Sequence, residues 1–163
     1  MKQTIIKEFL TNSECEKLIT IGKSQGFGDS TIKTKDGNVV DNKVRNNRRV
    51  ILDGEHLTDT LYGKLKPYVE PIIEHNGEEW ECIGLNEQIK IYEYNVGQEF
   101  RMHKDVPYTK DENTRSFYTM LVYLNEDIEG GETFFLNAQY KPITGNCLLF
   151  WQNQQHAGLA VTK

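Results

Sequence analysis

The sequence predicts an α+β chain: two amphipathic helices, then short strands folded as an antiparallel sandwich or jelly roll, with the helices buttressing one sheet. Three observations carry this expectation. Thr11-Asn12-Ser13-Glu14 has the spacing of a capping box and is followed by Leu18, Ile19 and Ile21. Leu57, Leu61 and Leu65 recur at the period of one helix face. From about residue 79, β-rich runs alternate with turn residues at short intervals.

In chain order, the first helix should run over roughly 12–25 and stop at Gly26. Residues 28–47 are polar and rich in Gly, Asp, Asn and Lys, which suits a surface loop or a poorly formed hairpin around Asp36-Gly37. A second helix is expected over 55–66, interrupted or redirected by Pro67 and Pro71. Residues 88–94 alternate, with Ile89 and Ile91 on one face and Tyr92 and Tyr94 on the other. Asn95-Val96-Gly97-Gln98 reads as a turn, after which residues 99–105 return as a strand. Residues 119–124, 133–136 and 146–151 are further strand candidates, separated at 125–131 and 142–145. No repeat, low-complexity tract or linker interrupts the chain. One domain over 1–163 is therefore expected, with helical support over about 1–75 and a jelly-roll core over about 79–163.

Composition excludes some classes. With 163 residues and a net charge of -5, the chain offers no whole-molecule positive field for nucleic acid or an anionic membrane. Cys15, Cys82 and Cys147 are odd in number, widely spaced and without a CxxC, as expected of reduced thiols. The N-terminus has no apolar signal region and no run approaches about 18 apolar residues. A soluble, cytoplasmic protein is the expectation. GxSxG, P-loop and GxGxxG motifs are missing, and Gly26-Phe27-Gly28 lacks the strand–turn–helix setting of a dinucleotide site. The sequence says nothing of oligomeric state.

The chemistry concentrates at His103-Lys104-Asp105 and His156. In a strand, positions i and i+2 share a face, so His103 and Asp105 leave the backbone together. A second imidazole from a distant strand would complete two nitrogens and one carboxylate on one face of a metal. That set is the facial triad of non-heme Fe(II) oxygenases, which keeps the other positions open. The tripeptide alone is more often a surface histidine beside a turn aspartate, so the surroundings decide. His56 and His75 have no ligand-spaced partners and read as surface or helix-end residues.

Those surroundings are specific. Tyr94-Asn95-Val96-Gly97-Gln98, His103-Lys104-Asp105, Thr119, Tyr123-Leu124-Asn125, Gly130-Gly131-Glu132-Thr133-Phe134, Pro142, Gly145, Phe150, and His156 with Gly158 and Val161 occur in order. Together they resemble the prolyl-4-hydroxylase-like branch of the Fe(II)- and 2-oxoglutarate-dependent dioxygenases. Arg45-Asn46-Asn47-Arg48-Arg49-Val50 resembles an upstream element of small members, so the resemblance covers roughly residues 40–163.

The resemblance implies a double-stranded β-helix with His103, Asp105 and His156 as Fe(II) ligands and no catalytic side chain beyond them. It implies that Tyr94 and Thr119 contact 2-oxoglutarate, with ascorbate as an accessory reductant. The implied reaction hydroxylates a C–H bond, on a prolyl or other peptide side chain, as 2-oxoglutarate is decarboxylated. Arg45, Arg49 and Arg115 are candidate substrate contacts, set against the plainer reading of solvated surface cations. A small-molecule or free amino acid hydroxylase, and a non-catalytic jelly-roll binding module, stay open as alternatives. One departure concerns the cation that pairs the far carboxylate of 2-oxoglutarate. The family carries it further downstream of the second histidine than Lys163, and Lys163 does not match it. The final strand is therefore expected to be cut short and the cosubstrate site incomplete.

Overall fold

A computed structural model describes residues 3–35 and 37–163. Strand β1 (Thr4–Ile6) leads into helix α1 (Asn12–Gln25), followed by β2 (Gly28–Asp29), β3 (Ile32–Thr34), β4 (Gly37–Val39) and β5 (Arg48–Asp53). Helix α2 (Glu55–Leu65) runs into a 3-10 turn at Lys66–Tyr68, then β6 (Ile72–His75) and β7 (Glu78–Glu81). The remaining strands are β8 (Gln88–Glu93), β9 (Phe100–His103), β10 (Thr109–Asp111), β11 (Thr114–Arg115), β12 (Tyr118–Val122), β13 (Thr133–Phe135), β14 (Ala138–Tyr140), β15 (Cys147–Trp151) and β16 (His156–Gly158).

Two antiparallel sheets build the jelly roll, in the orders β1–β15–β12 and β14–β13–β16–β9. Strand β15 is buried along its whole length, as a central strand covered on both faces must be. A core of Tyr123, Phe135, Leu148 and Phe150 draws side chains from both sheets. Phe135 and Phe150 meet edge to face at 5.1 Å. Each such fully buried side chain stabilises the fold by about 1.5–3 kcal/mol.

Helix α1 begins as its capping box dictates. Thr11 accepts from the Glu14 backbone, and the Glu14 carboxylate accepts from the Thr11 backbone at 2.8 Å. It approaches β8 closely at Gly22, where a Cβ would stand 2.9 Å from the Phe27 ring and 3.4 Å from Ile91. The turn before β15 is equally tight. Gly145 has φ +79°, and a Cβ there would lie 2.1 Å from the Leu10 carbonyl oxygen.

The chain divides into two compact units, residues 1–50 with 90–163, and residues 51–89. The smaller unit holds α2, which buries Thr58, Leu61 and Leu65, and the β6–β7 hairpin, in which Ile73 faces Trp80. Its ends are tied by Gly54 N–H donating to the Glu87 carbonyl at 3.3 Å. The polar stretch 28–47 does contain a hairpin, β3–β4, although Asp36 of its expected turn lies outside the described residues. Strands β1, β2, β10, β11, β14 and β16 went unforeseen, because each spans only two or three residues and is defined by its partner, and the longer β5, β6 and β7 were not marked either. The strand expected to reach Asp105 stops at His103, since Asp105 N–H turns to the Gln152 carbonyl at 3.2 Å. Among the described residues no helix is long and apolar enough to cross a membrane.

The core makes a direct expectation. Leu148, fully buried on β15, should cost about 2–5 kcal/mol when replaced by Ala. Leu136→Ala, at a position 77% exposed, should stay within about 0.5 kcal/mol. Urea unfolding of the two variants measures the contrast.

Candidate metal centre

The second sheet delivers the site. Antiparallel pairing of β16 with β9 places His156 directly opposite His103. Their rings lie 4.2 Å apart, centroid to centroid. In each, Nδ1 faces the carbonyl two residues earlier: Arg101 O at 2.7 Å for His103 and Gln154 O at 3.0 Å for His156. A neutral imidazole that donates from Nδ1 presents Nε2 as a free lone pair. Both Nε2 atoms point to one carboxylate: His103 Nε2 is 3.6 Å from Asp105 Oδ1 and His156 Nε2 is 3.7 Å from Asp105 Oδ2.

The donor set fits a transition metal. One ligand atom from each of His103, Asp105 and His156 lies within 4.8 Å of the others. Donors at about 2–2.2 Å from a metal stand about 3 Å apart at right angles, so modest contraction closes the site. Packing holds each ring. His103 stacks on Phe100 at 3.4 Å, and His156 sits between Phe135 at 5.6 Å and Phe150 at 4.7 Å. Thr119 Oγ1 donates to Asp105 Oδ2 at 2.5 Å, orienting the carboxylate.

Protonation follows from the same surroundings. Burial pushes Asp105 up, but hydrogen bonds from His103 and Thr119 and the positive field of His156 outweigh it, so its pKa lies below the usual range. Burial pushes His156 below the ordinary histidine value, against the pull of Asp105. A lowered His156 and a lowered Asp105 both favour the deprotonated forms in which these groups bind a metal.

The other candidates divide by location. Burial pushes the Tyr94 phenol up to about 12, against the opposing effect of Arg45 beside it. Arg45 is only 5% exposed, with its guanidinium over the Phe100 ring at 3.9 Å and near the Tyr92 ring at 5.0 Å. Arg49, on β5, donates to Thr31 Oγ1 at 2.6 Å. Arg115 is exposed on β11, 5.1 Å from the Phe117 ring, outside the metal cluster. Lys163 pairs with Glu129 at 3.1 Å on the surface, 79% exposed.

Lys90 was missed. It lies exposed on β8, and desolvation followed by the positive field of Arg49 lowers its pKa, with Asp105 pulling the other way. The signal was available: the alternation that puts Tyr92 and Tyr94 on one face of β8 puts Lys90 there too. Phe100 was also passed over, and only the folded chain shows it stacked between Arg45 and His103.

Residues 89–163 match the sequence profile of the 2OG-Fe(II) oxygenase superfamily. Probable prolyl 4-hydroxylase 8 of Arabidopsis thaliana is 32% identical over 138 residues, covering 80% of this chain and 43% of that protein. The chain resembles the prolyl 4-hydroxylases of the 2OG-Fe(II) oxygenases. Prolyl 4-hydroxylase 5 of the same plant is 30% identical over 141 residues, 82% of this chain and 44% of the relative. The chain thus spans less than half the length of these two curated relatives. The fold agrees with solved structures. The viral collagen prolyl hydroxylase of Paramecium Bursaria Chlorella virus-1, in its 2OG complex, superposes with a TM-score of 0.66 at 24% identity, over 100% of this chain and 90% of that one. A Pseudomonas putida prolyl-4-hydroxylase gives 0.66 at 15% identity, over 99% and 87%. The double-stranded β-helix is therefore the fold of this chain.

The geometry sets an expectation for metal binding. Calorimetric titration with Mn(II) should show one strong site, lost by His103→Ala or His156→Ala and kept by His56→Ala. Equal binding by all three variants would remove the centre from these residues.

Proposed function

We propose that this chain hydroxylates a C–H bond of a peptide side chain, with prolyl as the leading candidate, in a reaction dependent on Fe(II) and 2-oxoglutarate. The observation that carries the reading is the convergence of His103 Nε2, His156 Nε2 and the Asp105 carboxylate. Three protein donors on one face leave room for a chelating cosubstrate and for dioxygen. The relatives named prolyl 4-hydroxylase support the substrate class.

Held by His103, Asp105 and His156, a metal with 2-oxoglutarate would supply the oxidising power to hydroxylate an unactivated C–H bond with dioxygen, one oxygen atom going to the product and the other to succinate as carbon dioxide is released. The chain positions and shields. Phe135 and Phe150 keep water from His156, and Thr119 fixes the Asp105 carboxylate. Tyr94 stays protonated at physiological pH and offers a phenolic donor. No protein base is needed at the C–H bond. Arg49, held by Thr31, and the exposed Arg115 are the cations proposed to meet the peptide.

Succinate release from 2-oxoglutarate, measured with Fe(II) and proline-containing peptides, with and without ascorbate, tests the reading. Peptide-dependent succinate is expected, and His156→Ala should abolish it. Arg49→Ala should raise the peptide KM about tenfold with kcat little changed, the loss of one charge-assisted contact. An unchanged KM would remove Arg49 from the substrate site.

A further inference from the structure

We propose that the cleft at the metal-bearing end of the second sheet is a peptide subsite, in which Lys104 selects substrates carrying an acidic side chain a few positions from the hydroxylated residue. This rests on the peptide-hydroxylase reading above and names a specificity-determining residue for it.

The cleft has a volume of about 420 Å³, within the range of roughly 300–1,000 Å³ usual for ligand clefts. Its wall is formed by residues that flank the metal donors. Lys104 lies between His103 and Asp105, and Gln154 and Gln155 lead directly into His156. Phe135 also lines it, and the Phe135 ring is stacked with His156 at 5.6 Å. The opposite rim is the Leu136-Asn137 turn between β13 and β14. Extended chain advances about 3.3 Å per residue, so a target residue held at the metal brings its near neighbours to this end of the sheet.

The lining has the chemistry of a peptide contact. Asn137, Asn153, Gln154 and Gln155 present side-chain amides to the cleft. Each amide has a carbonyl acceptor and an amino donor, the complement of a peptide main chain. Two of them are held in place by Gln3, which is only 7% exposed. Its carbonyl oxygen accepts from the Tyr140 hydroxyl at 3.5 Å, and its Nε2 donates to Asn137 Oδ1 at 3.2 Å and to Gln154 Oε1 at 2.5 Å. The Asn137 oxygen is thus engaged, and its amino group is left to donate to a ligand carbonyl. Among the described residues, the side chains of Lys104, Asn153 and Gln155 make no hydrogen bond or ion pair. Lys104 is the one cation of this lining, and no acid accompanies it. A carboxylate is therefore the side chain the cleft favours, and a second cation is disfavoured. Leu136, 77% exposed at the rim, offers apolar surface to the stem of that side chain.

The test reads binding without turnover. Fluorescein-labelled proline peptides are titrated by anisotropy against Mn(II)-loaded protein without oxygen. They differ only in carrying Glu, Gln or Lys at one position, from three before to three after the proline. At a position on one side of the proline, Glu should bind about fivefold more tightly than Gln, the scale of an exposed ion pair, and Lys more weakly than Gln. Lys104→Glu should reverse that order and Lys104→Gln should equalise Glu and Gln, with Mn(II) affinity unchanged. Lys104→Gln is the deciding variant if Lys104→Glu disturbs the metal. Lys163→Glu, an equal change of net charge at the surface, should leave the order intact. Asn137→Ala should weaken the Glu and Gln peptides by a common factor, as loss of a main-chain contact does. Peptides bound with no preference for Glu at any position overturn the assignment and leave the hydroxylase reading standing. So does a preference that survives Lys104→Gln, or one that Lys163→Glu reverses equally. Failure of every peptide to bind overturns the subsite together with the peptide-substrate reading.

Discussion

The pairing of β16 with β9 is the constraint on which the rest depends. It sets His156 opposite His103, and every other feature of the centre is referenced to that pair. Side chains alternate along a strand, so a slip of one residue would turn His156 away from the cluster. The register is protected by packing. Phe135 on β13 pairs with His156 on β16 and meets Phe150 of the other sheet edge to face. The aromatic core and the metal donors are therefore one packing unit. Loosening the core would move a ligand before it unfolded the chain.

Charge is distributed to match. A single carboxylate, Asp105, stands between two imidazoles whose Nδ1 atoms are turned to backbone carbonyls. Arg45 and Arg49 both act on Lys90, and Asp105 opposes them there. The combination at the two imidazoles and the single carboxylate favours a divalent cation.

Much of this was legible in the sequence, for identifiable reasons. The capping box marked α1 because its hydrogen bonds are local. The leucine spacing marked α2, where Leu61 and Leu65 are buried. His103 and Asp105 could be read together because the period of a strand is two. What stayed hidden depends on contacts remote in sequence. Strand β1 exists because Ile5 lies opposite Leu148, and three residues carry no pattern of their own. Arg45 looked like one cation in a polar stretch, yet its burial is conferred by Phe100 and Tyr92. Lys90 is on the exposed face of β8, where the alternation puts it, and only the fold shows that Arg49 and Asp105 act on it.

Phe100 shows how the two halves of the site are made to agree. One face of its ring packs against the His103 imidazole and the other region of the ring carries the Arg45 guanidinium. Its backbone pairs both with Gly158 on β16 and with Arg45. The distance between a metal donor and the buried cation is thus set by a rigid aromatic ring whose own strand position is fixed on two sides. A guanidinium held by Asn47 and flanked by the Phe100 and Tyr92 rings has little freedom to move, so the burial of Arg45 supports the edge of β9 that carries His103.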